Sequence, residues 1–213
     1  EFDVKVDNKM NSGVQFRSLS IPEYQNGRVH GYQAEIDPST RGWSGGIYDE
    51  ARRGWMYQTE MNPAAKKAFK KNDWNKYRIE AIGNVIRTWV NDIPVSYLVD
   101  DLTMKGLIAL QVHSVKEREG GAQISWKNIR IQTAHLKPAA PDNIFVANLI
   151  PNTVSPDEKR NGVRLLWDGL TTNGWRGAYK KTFPNGTWFV KEGTLNVRGA
   201  NGAACFVGAP TRR

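Results

Sequence analysis

Apolar and polar residues alternate along much of the chain, most strictly in residues 32–37. Tyrosine, alanine and isoleucine alternate there with Gln33, Glu35 and Asp37. Because successive side chains of a strand point to opposite faces, the apolar set can be buried while the polar set forms one row. The two carboxylates of that row are two residues apart, about 6.5–7 Å between Cα atoms at the usual rise of a strand. The segment therefore predicts a strand with one buried and one polar face.

Similar short segments recur, separated by glycine, asparagine and proline residues that favour turns. They comprise residues 2–7, 14–17, 77–82, 85–90, 106–113 and 123–131, and further along the chain 163–167, 188–190 and 193–197. Short strands at this spacing predict an all-β fold, an antiparallel β-sandwich or jelly roll. No segment predicts a helix longer than about three turns.

The pattern divides the chain into three parts. Residues 1–133 form the main body of the predicted β-sandwich, and the Pro-rich residues 134–161 predict a linker. Within the linker, Ser155 followed three residues later by Glu158 predicts a short helical turn with Ser155 as its N-cap. Residues 162–213 again predict short strands, too few to bury a core alone. We therefore expect them to pack on the first part or on another copy of it.

Charge and composition exclude some classes of protein. The chain of 213 residues carries a net charge of +9, and its densest basic segment is residues 66–71. We interpret that segment as solvated surface, with no nucleic-acid partner, because no recognised binding module accompanies it. No apolar run approaches the roughly 18–20 residues of a membrane span. The single Cys205 excludes an internal disulfide, and the start at Glu1 without a signal-peptide pattern indicates a processed or truncated chain.

Three polar rows of the predicted strands are candidates for one ligand cleft. They are Gln15 with Arg17, Gln33 with Glu35 and Asp37, and Gln111 with His113. Each single row could be an ordinary solvent-facing face of a sheet. Together they carry hydrogen-bonding residues and lack lysine, which a plain solvated face usually contains, so we predict a binding site.

Loop residues add candidates for ligand contacts. Tyr48, Glu50 and Arg53 follow a Gly-Gly bend and could close over the cleft, or could form a salt-bridged surface loop. Trp43 and Trp55 lie in Gly-rich loops, where they could stack on a sugar ring or could belong to the core.

Glu35 and Asp37 are the leading candidates for acid–base catalysis. A neighbouring like charge disfavours the ionisation of one carboxyl group, which places a proton donor beside a base. Together with His113 they could hold a divalent cation, although no spacing motif supports a metal site and no cofactor is certain.

Several segments together resemble the bacterial 3-keto-disaccharide hydrolase family. The segments are 11–18, 31–37, 45–50, 74–77, 106–113 and 126–130, and in the last part 162–177 and 188–195. The resemblance implies a jelly-roll sandwich of the concanavalin A-like lectin/glucanase type. The order departs from the family's, since the family's opening strands resemble residues 162–213. These strands could complete the sandwich in cis, complete a neighbour's in a strand-swapped homodimer, or begin a truncated second copy.

The resemblance implies an exported enzyme, periplasmic or on the cell surface, that cleaves 3-keto-glycosides. A ketone at C3 acidifies the proton on C2, so a base can remove that proton and expel the C1 substituent, and water then adds back. Glu35 or Asp37 is the expected base, His113 the proton donor and Arg17 the cation at the enolate oxygen. The Glu-x-Asp spacing also resembles the acid motif of glucanases of this fold, but the further glutamate is missing. The alternatives are a non-catalytic carbohydrate-binding module and a strand-swapping structural adaptor.

Overall fold

The structure, a computed structural model, describes residues 1–7, 10–114, 121–199 and 207–208. The chain forms two compact units, Glu1–Leu149 and Ile150–Arg213. Cys205 lies outside the described residues. In the described part of the chain, no helix has the length and apolar character needed to cross a membrane.

The first unit is a β-sandwich of two sheets. Its strands are β1 (Phe2–Val6), β2 (Ser12–Leu19), β3 (His30–Ile36), β4 (Ile47–Glu50), β5 (Gly54–Tyr57), β6 (Asn75–Ile82), β7 (Val85–Val90), β8 (Ile93–Val99), β9 (Leu107–Leu110), β10 (Ile124–Lys127) and β11 (Ala147–Asn148). Short 3₁₀ helices occur at Gln25–Gly27, Thr59–Met61 and Pro63–Lys67. A six-stranded sheet has the order β10-β1-β6-β7-β8-β11, and a five-stranded sheet has the order β5-β4-β3-β2-β9. All neighbours are antiparallel except β11, which pairs with β8 in parallel.

The alternation of the sequence places the core between the two sheets. The apolar residues of β3, which are Tyr32, Ala34 and Ile36, are fully buried, as are Val4 of β1 and Tyr77 of β6. They pack in two apolar clusters that each contain residues of both sheets. The predicted all-β fold, an antiparallel sandwich of the jelly-roll type, is thereby confirmed.

Residues 134–149, part of the expected linker, belong to the first unit. The buried Arg87 guanidinium donates to the carbonyl oxygens of Ala139 and Ala140 at 2.9 and 2.6 Å and pairs with Asp142 at 2.5 Å. Beyond this contact, β11 adds a short strand beside β8. The boundary between the two units therefore falls inside the Pro-rich segment, after Leu149.

The second unit consists of short elements with little burial. They are α1 (Pro156–Arg160), β12 (Arg176–Gly177), β13 (Trp188–Lys191), β14 (Thr194–Val197) and β15 (Val207–Gly208). The side chain of Ser155 accepts from the backbone N–H of Glu158 in a reciprocal capping box, which confirms the predicted helical turn. β13 pairs with β14 and β12 with β15. Among the described residues of this unit, no apolar side chain is buried, as expected for so short a segment.

Candidate active site

An open cleft of about 430 Å³ lies on the outer face of the five-stranded sheet. Its walls are formed by Asn11, Gln33, Glu35, Asp37, Ser39, Arg41, Tyr48, Glu50, Trp55, Gln111 and His113. The strand pairing explains this gathering, because Gln15 of β2 and Tyr48 of β4 both lie directly beside Gln33 of β3. Residues at the same register on neighbouring strands project from the same face of a sheet. The polar face predicted for residues 32–37 is thus the floor of the cleft.

Gly13 leaves space for the Gln33 side chain at the centre of the cleft floor. It lies beside Glu35 in the register of β2 and β3. A Cβ atom at position 13 would lie 2.4 Å from Cδ of Gln33, so the Gln33 side chain occupies the space that glycine leaves. This packing restricts where Gln33 can place its amide.

Glu35 is a buried carboxyl group held by neutral amides. Its side chain is 4% exposed. The Asn11 amide donates to Oε1, and the Gln33 amide donates to Oε2 at 3.0 Å. Burial raises the pKa of Glu35, assisted by the Asp37 charge and partly offset by the two amide hydrogen bonds. A buried carboxyl group with a raised pKa is suited to exchange protons with a substrate.

Asp37 has a different environment two residues further along. Its carboxylate accepts from the Ser39 N–H at 3.0 Å and from Arg41 Nε at 2.8 Å. Burial opposes ionisation, but the hydrogen bonds from Ser39 and Arg41 outweigh it, so the pKa of Asp37 is lowered. The two neighbouring carboxyl groups therefore differ, with Asp37 held as an anion and Glu35 poised to exchange a proton.

Arg41 connects the carboxyl pair to an aromatic wall. Its guanidinium lies 3.7 Å from Oε1 of Glu35 and stacks over the Trp43 ring, 4.0 Å from the ring centroid. The Trp43 and Trp55 rings meet edge to face with their centroids 4.5 Å apart, and the centroids of Trp55 and Tyr48 are 5.0 Å apart. Trp55 and Tyr48 line the cleft, whereas Trp43 supports Arg41 from outside the lining.

Gln111 and His113 complete the lining. Nδ1 of the exposed His113 lies 2.9 Å from the carbonyl oxygen of Ser114. Since a carbonyl only accepts, Nδ1 carries the proton and Nε2 is the basic nitrogen of the neutral ring. Oε1 of Gln111 is buried without a hydrogen bond to the described residues.

Besides Trp43, two predicted ligand contacts, Arg17 and Arg53, lie outside this cleft. Arg17 has a φ of 47°, at a register shift between Phe16 and Leu19 that interrupts the alternation of β2. Its guanidinium donates to the carbonyl oxygens of Ala81 and Gly83, both at 2.8 Å. Arg53 pairs with Asp49 at 2.6 Å and with Asp100 at 2.5 Å.

Three cleft residues were absent from the sequence prediction. Asn11 precedes Gly13 by two positions, so the alternation of β2 could have revealed it. Ser39 and Arg41 come from the turn after β3, where no periodic signal exists. Among the residues that the structure describes, no three His, Cys, Asp or Glu side chains come together as a metal-binding group, so Glu35, Asp37 and His113 do not form the cation site considered from the sequence.

The first unit is thus an antiparallel β-sandwich of the jelly-roll type, with acidic residues and an aromatic wall on the outer face of one sheet. The chain belongs to the family of 3-keto-alpha-glucoside-1,2-lyase-like domains, whose model matches residues 1–132. This membership confirms the family predicted from the sequence and supports a function related to carbohydrates. Comparison with curated proteins finds no match. The rotated order of residues 162–213 and the strand-swapped homodimer stay predictions.

Proposed function

We propose that the first unit cleaves 3-keto-glycosides at the glycosidic bond, with Glu35 as the residue that abstracts the proton on C2. The observation that carries the proposal is the buried Glu35 carboxyl group on the cleft floor, held by neutral amides beside Arg41. The family match supports a keto-sugar as the substrate.

The proposed reaction is an elimination in which each proton is accounted for. Glu35 takes the proton from C2, and the C2–H electrons are first held in the enolate of the C3 ketone. They then form the C1=C2 double bond as the C1–O bond breaks. The Nε2 atom of protonated His113 supplies a proton to the departing oxygen. Addition of water across the double bond would give net hydrolysis, and release of the unsaturated sugar would give a lyase.

Arg41 takes the part of the cation at the ketone oxygen. When C2 loses its proton, negative charge develops on the oxygen at C3, and a fixed guanidinium stabilises that charge. Asp37 and Trp43 hold Arg41 at one position through an ion pair and a stacked ring. This assignment replaces Arg17, whose guanidinium donates to the carbonyl oxygens of Ala81 and Gly83.

The test is turnover of a 3-keto-glucoside with a chromogenic leaving group. Glu35→Gln is expected to lower kcat by about 10²–10⁴-fold while sugar binding is retained. The matched control is Glu23→Gln, since Glu23 is exposed and lies outside the cleft lining, and it should leave kcat unchanged. Exchange of the C2 hydrogen with deuterated solvent would identify the elimination.

A carbohydrate-binding module is the second candidate, favoured by the aromatic wall of Trp55 and Tyr48. It predicts that the folded wild type binds the keto-sugar without cleaving it. Glu35→Gln would then only weaken the affinity.

A further inference from the structure

A row of buried polar side chains leads from the back of the cleft floor to Glu35. The Ser18 hydroxyl donates to Oε1 of Gln15 at 2.7 Å, and Nε2 of Gln15 donates to Oε1 of Gln33 at 2.9 Å. Nε2 of Gln33 then donates to Oε2 of Glu35 at 3.0 Å. All four residues are at most 3% exposed. We call this row the amide relay.

The direction of each hydrogen bond in the relay depends on the next one. An ionised Glu35 only accepts, so Gln33 must present its NH₂ group to it. The Oε1 atom of Gln33 is then directed to Gln15, which must in turn present its own NH₂ group. If Gln33 reversed its amide, a carbonyl oxygen would face the Glu35 carboxylate and repel it.

Packing leaves the Gln33 side chain little conformational freedom except a reversal of its terminal amide. Its Cγ, Cδ and Nε2 atoms all lie within 2.6 Å of the position that a Cβ of residue 13 would take. The side chain is thus laid over the Gly13 backbone between two neighbouring strands. The orientation of its terminal amide is then set by its two hydrogen-bond partners, Gln15 at Oε1 and Glu35 at Nε2.

We infer that Gln15 is a positioning residue, which acts through Gln33 to keep a donor directed at the Glu35 carboxylate and so favours its ionised form. Gln15 does not line the cleft, so it has no direct access to a substrate there. The catalytic consequence of this inference rests on the proposed function, whereas the effect on Glu35 itself does not.

The other charged and titratable groups around Glu35 do not belong to the relay. They are Asp37 on the same segment, Arg41 in the following turn, Glu50 and His113 in the same cleft, and Tyr77 of the opposite sheet. The Tyr77 hydroxyl donates to the backbone oxygen of Glu35 at 3.2 Å and not to its carboxyl group. A substitution at Gln15 therefore changes the relay alone.

The experiment is a titration of the Glu35 carboxyl carbon by NMR, with the resonance assigned from its loss in Glu35→Gln. Gln15→Met keeps the length of the side chain and removes both hydrogen-bonding groups. The midpoint of Glu35 is expected to rise by about one pH unit or more, because a hydrogen bond to a charged group is weakened. Ser18→Ala removes only the far end of the relay and should raise the midpoint by less. This variant replaces Gln15→Met in the test if Gln15→Met does not fold.

A matched control is Thr88→Val, which removes a buried hydroxyl of the opposite sheet. This hydroxyl is hydrogen-bonded to Ser96 of β8 and to the carbonyl oxygen of Gly45 in the loop before β4. The substitution should lower stability without moving the Glu35 midpoint. An unchanged midpoint in folded Gln15→Met or Ser18→Ala would overturn the inference, as would an equal rise in Thr88→Val.

The activity of the same variants separates the inference from the proposed function. If the wild type cleaves the keto-glucoside, the acidic limb of kcat/KM should move to higher pH in Gln15→Met, because the base must be ionised. If the wild type cleaves nothing and the Glu35 midpoint still rises, the proposed function fails and the inference stands.

Discussion

Two of the carboxylate–arginine clusters in the sandwich have opposite arrangements of charge. In the first, behind the cleft floor, Asp49 pairs with Arg52 and Arg53 at 2.6 Å each, and Asp100 pairs with Arg53 at 2.5 Å. The second cluster, on the cleft floor, has two carboxyl groups but a single Arg41, which lies 2.8 Å from Asp37 and 3.7 Å from Glu35.

The difference shows in the pKa values. For Asp100, burial is outweighed by hydrogen bonds from Arg53 and Tyr32, so its pKa is lowered. For Glu35, burial is the largest influence and two neutral amides offset it only in part, so its pKa is raised. The sandwich thus has one cluster in which opposite charges balance and another that is short of one positive charge. A shortage of this kind costs stability and gives a group that can exchange protons.

The largest expected effect is the loss of Asp49, which is fully buried. Asp49→Asn would leave Arg52 and Arg53 with one carboxylate between them, and the free energy of unfolding should fall by about 3 kcal/mol. Urea unfolding measures the loss. The control Asp92→Asn breaks an exposed pair with Lys76 and should cost less than about 1 kcal/mol. Equal losses in the two variants would contradict a balanced buried cluster.

A smaller effect is expected from Gly13→Ala. The new Cβ would lie 2.4 Å from Cδ of Gln33, and relief of this contact should cost about 1–3 kcal/mol. The displaced Gln33 would also lose its hydrogen bond to Glu35, so turnover should fall more than stability alone explains. Urea unfolding and kcat measured well below the melting temperature separate the two effects. Wild-type kcat in a folded Gly13→Ala protein would show that Gln33 has another way to reach Glu35.

The last prediction concerns how the free energy of unfolding changes with pH. Because the pKa of Glu35 is raised by burial, the contribution of Glu35 to stability is lost as the pH rises above about 4, the ordinary carboxyl range. Because the pKa of Asp100 is lowered, despite burial, by hydrogen bonds, its contribution is lost as the pH falls below about 4.

The corresponding measurement is urea unfolding of Glu35→Gln and Asp100→Asn at intervals from about pH 3 to about pH 7. Relative to the wild type, Glu35→Gln should become more stable towards the upper end of this range. Asp100→Asn should compare best with the wild type at the lower end. Parallel curves for the two variants would contradict the contrast between the clusters.

The alternation of the sequence predicted the sandwich and the floor of the cleft. Residues 32–36 fold as a strand, as expected, because a strand in a sandwich must bury one face, and the positions of Gln33 and Glu35 follow from that requirement. The alternation does not detect a bulge, so Arg17 was placed in a row that its backbone interrupts. Arg41 was missed because turn residues have no period, and its position depends on contacts with Asp37 and Trp43.

The contacts of Arg87 define how far the folding unit extends. The family match ends at residue 132, but Arg87, which is 3% exposed, has three of its acceptors on residues 139–142. In a protein shortened to the matched residues, the buried Arg87 guanidinium would lose these acceptors. Its remaining carboxylate partner would be Glu80, 3.6 Å away. The shortened protein would also lose β11 and leave the edge of β8 open. Such an edge can pair with other molecules, so the shortened protein should aggregate, and production of the cleft as a separate domain requires the chain through Leu149.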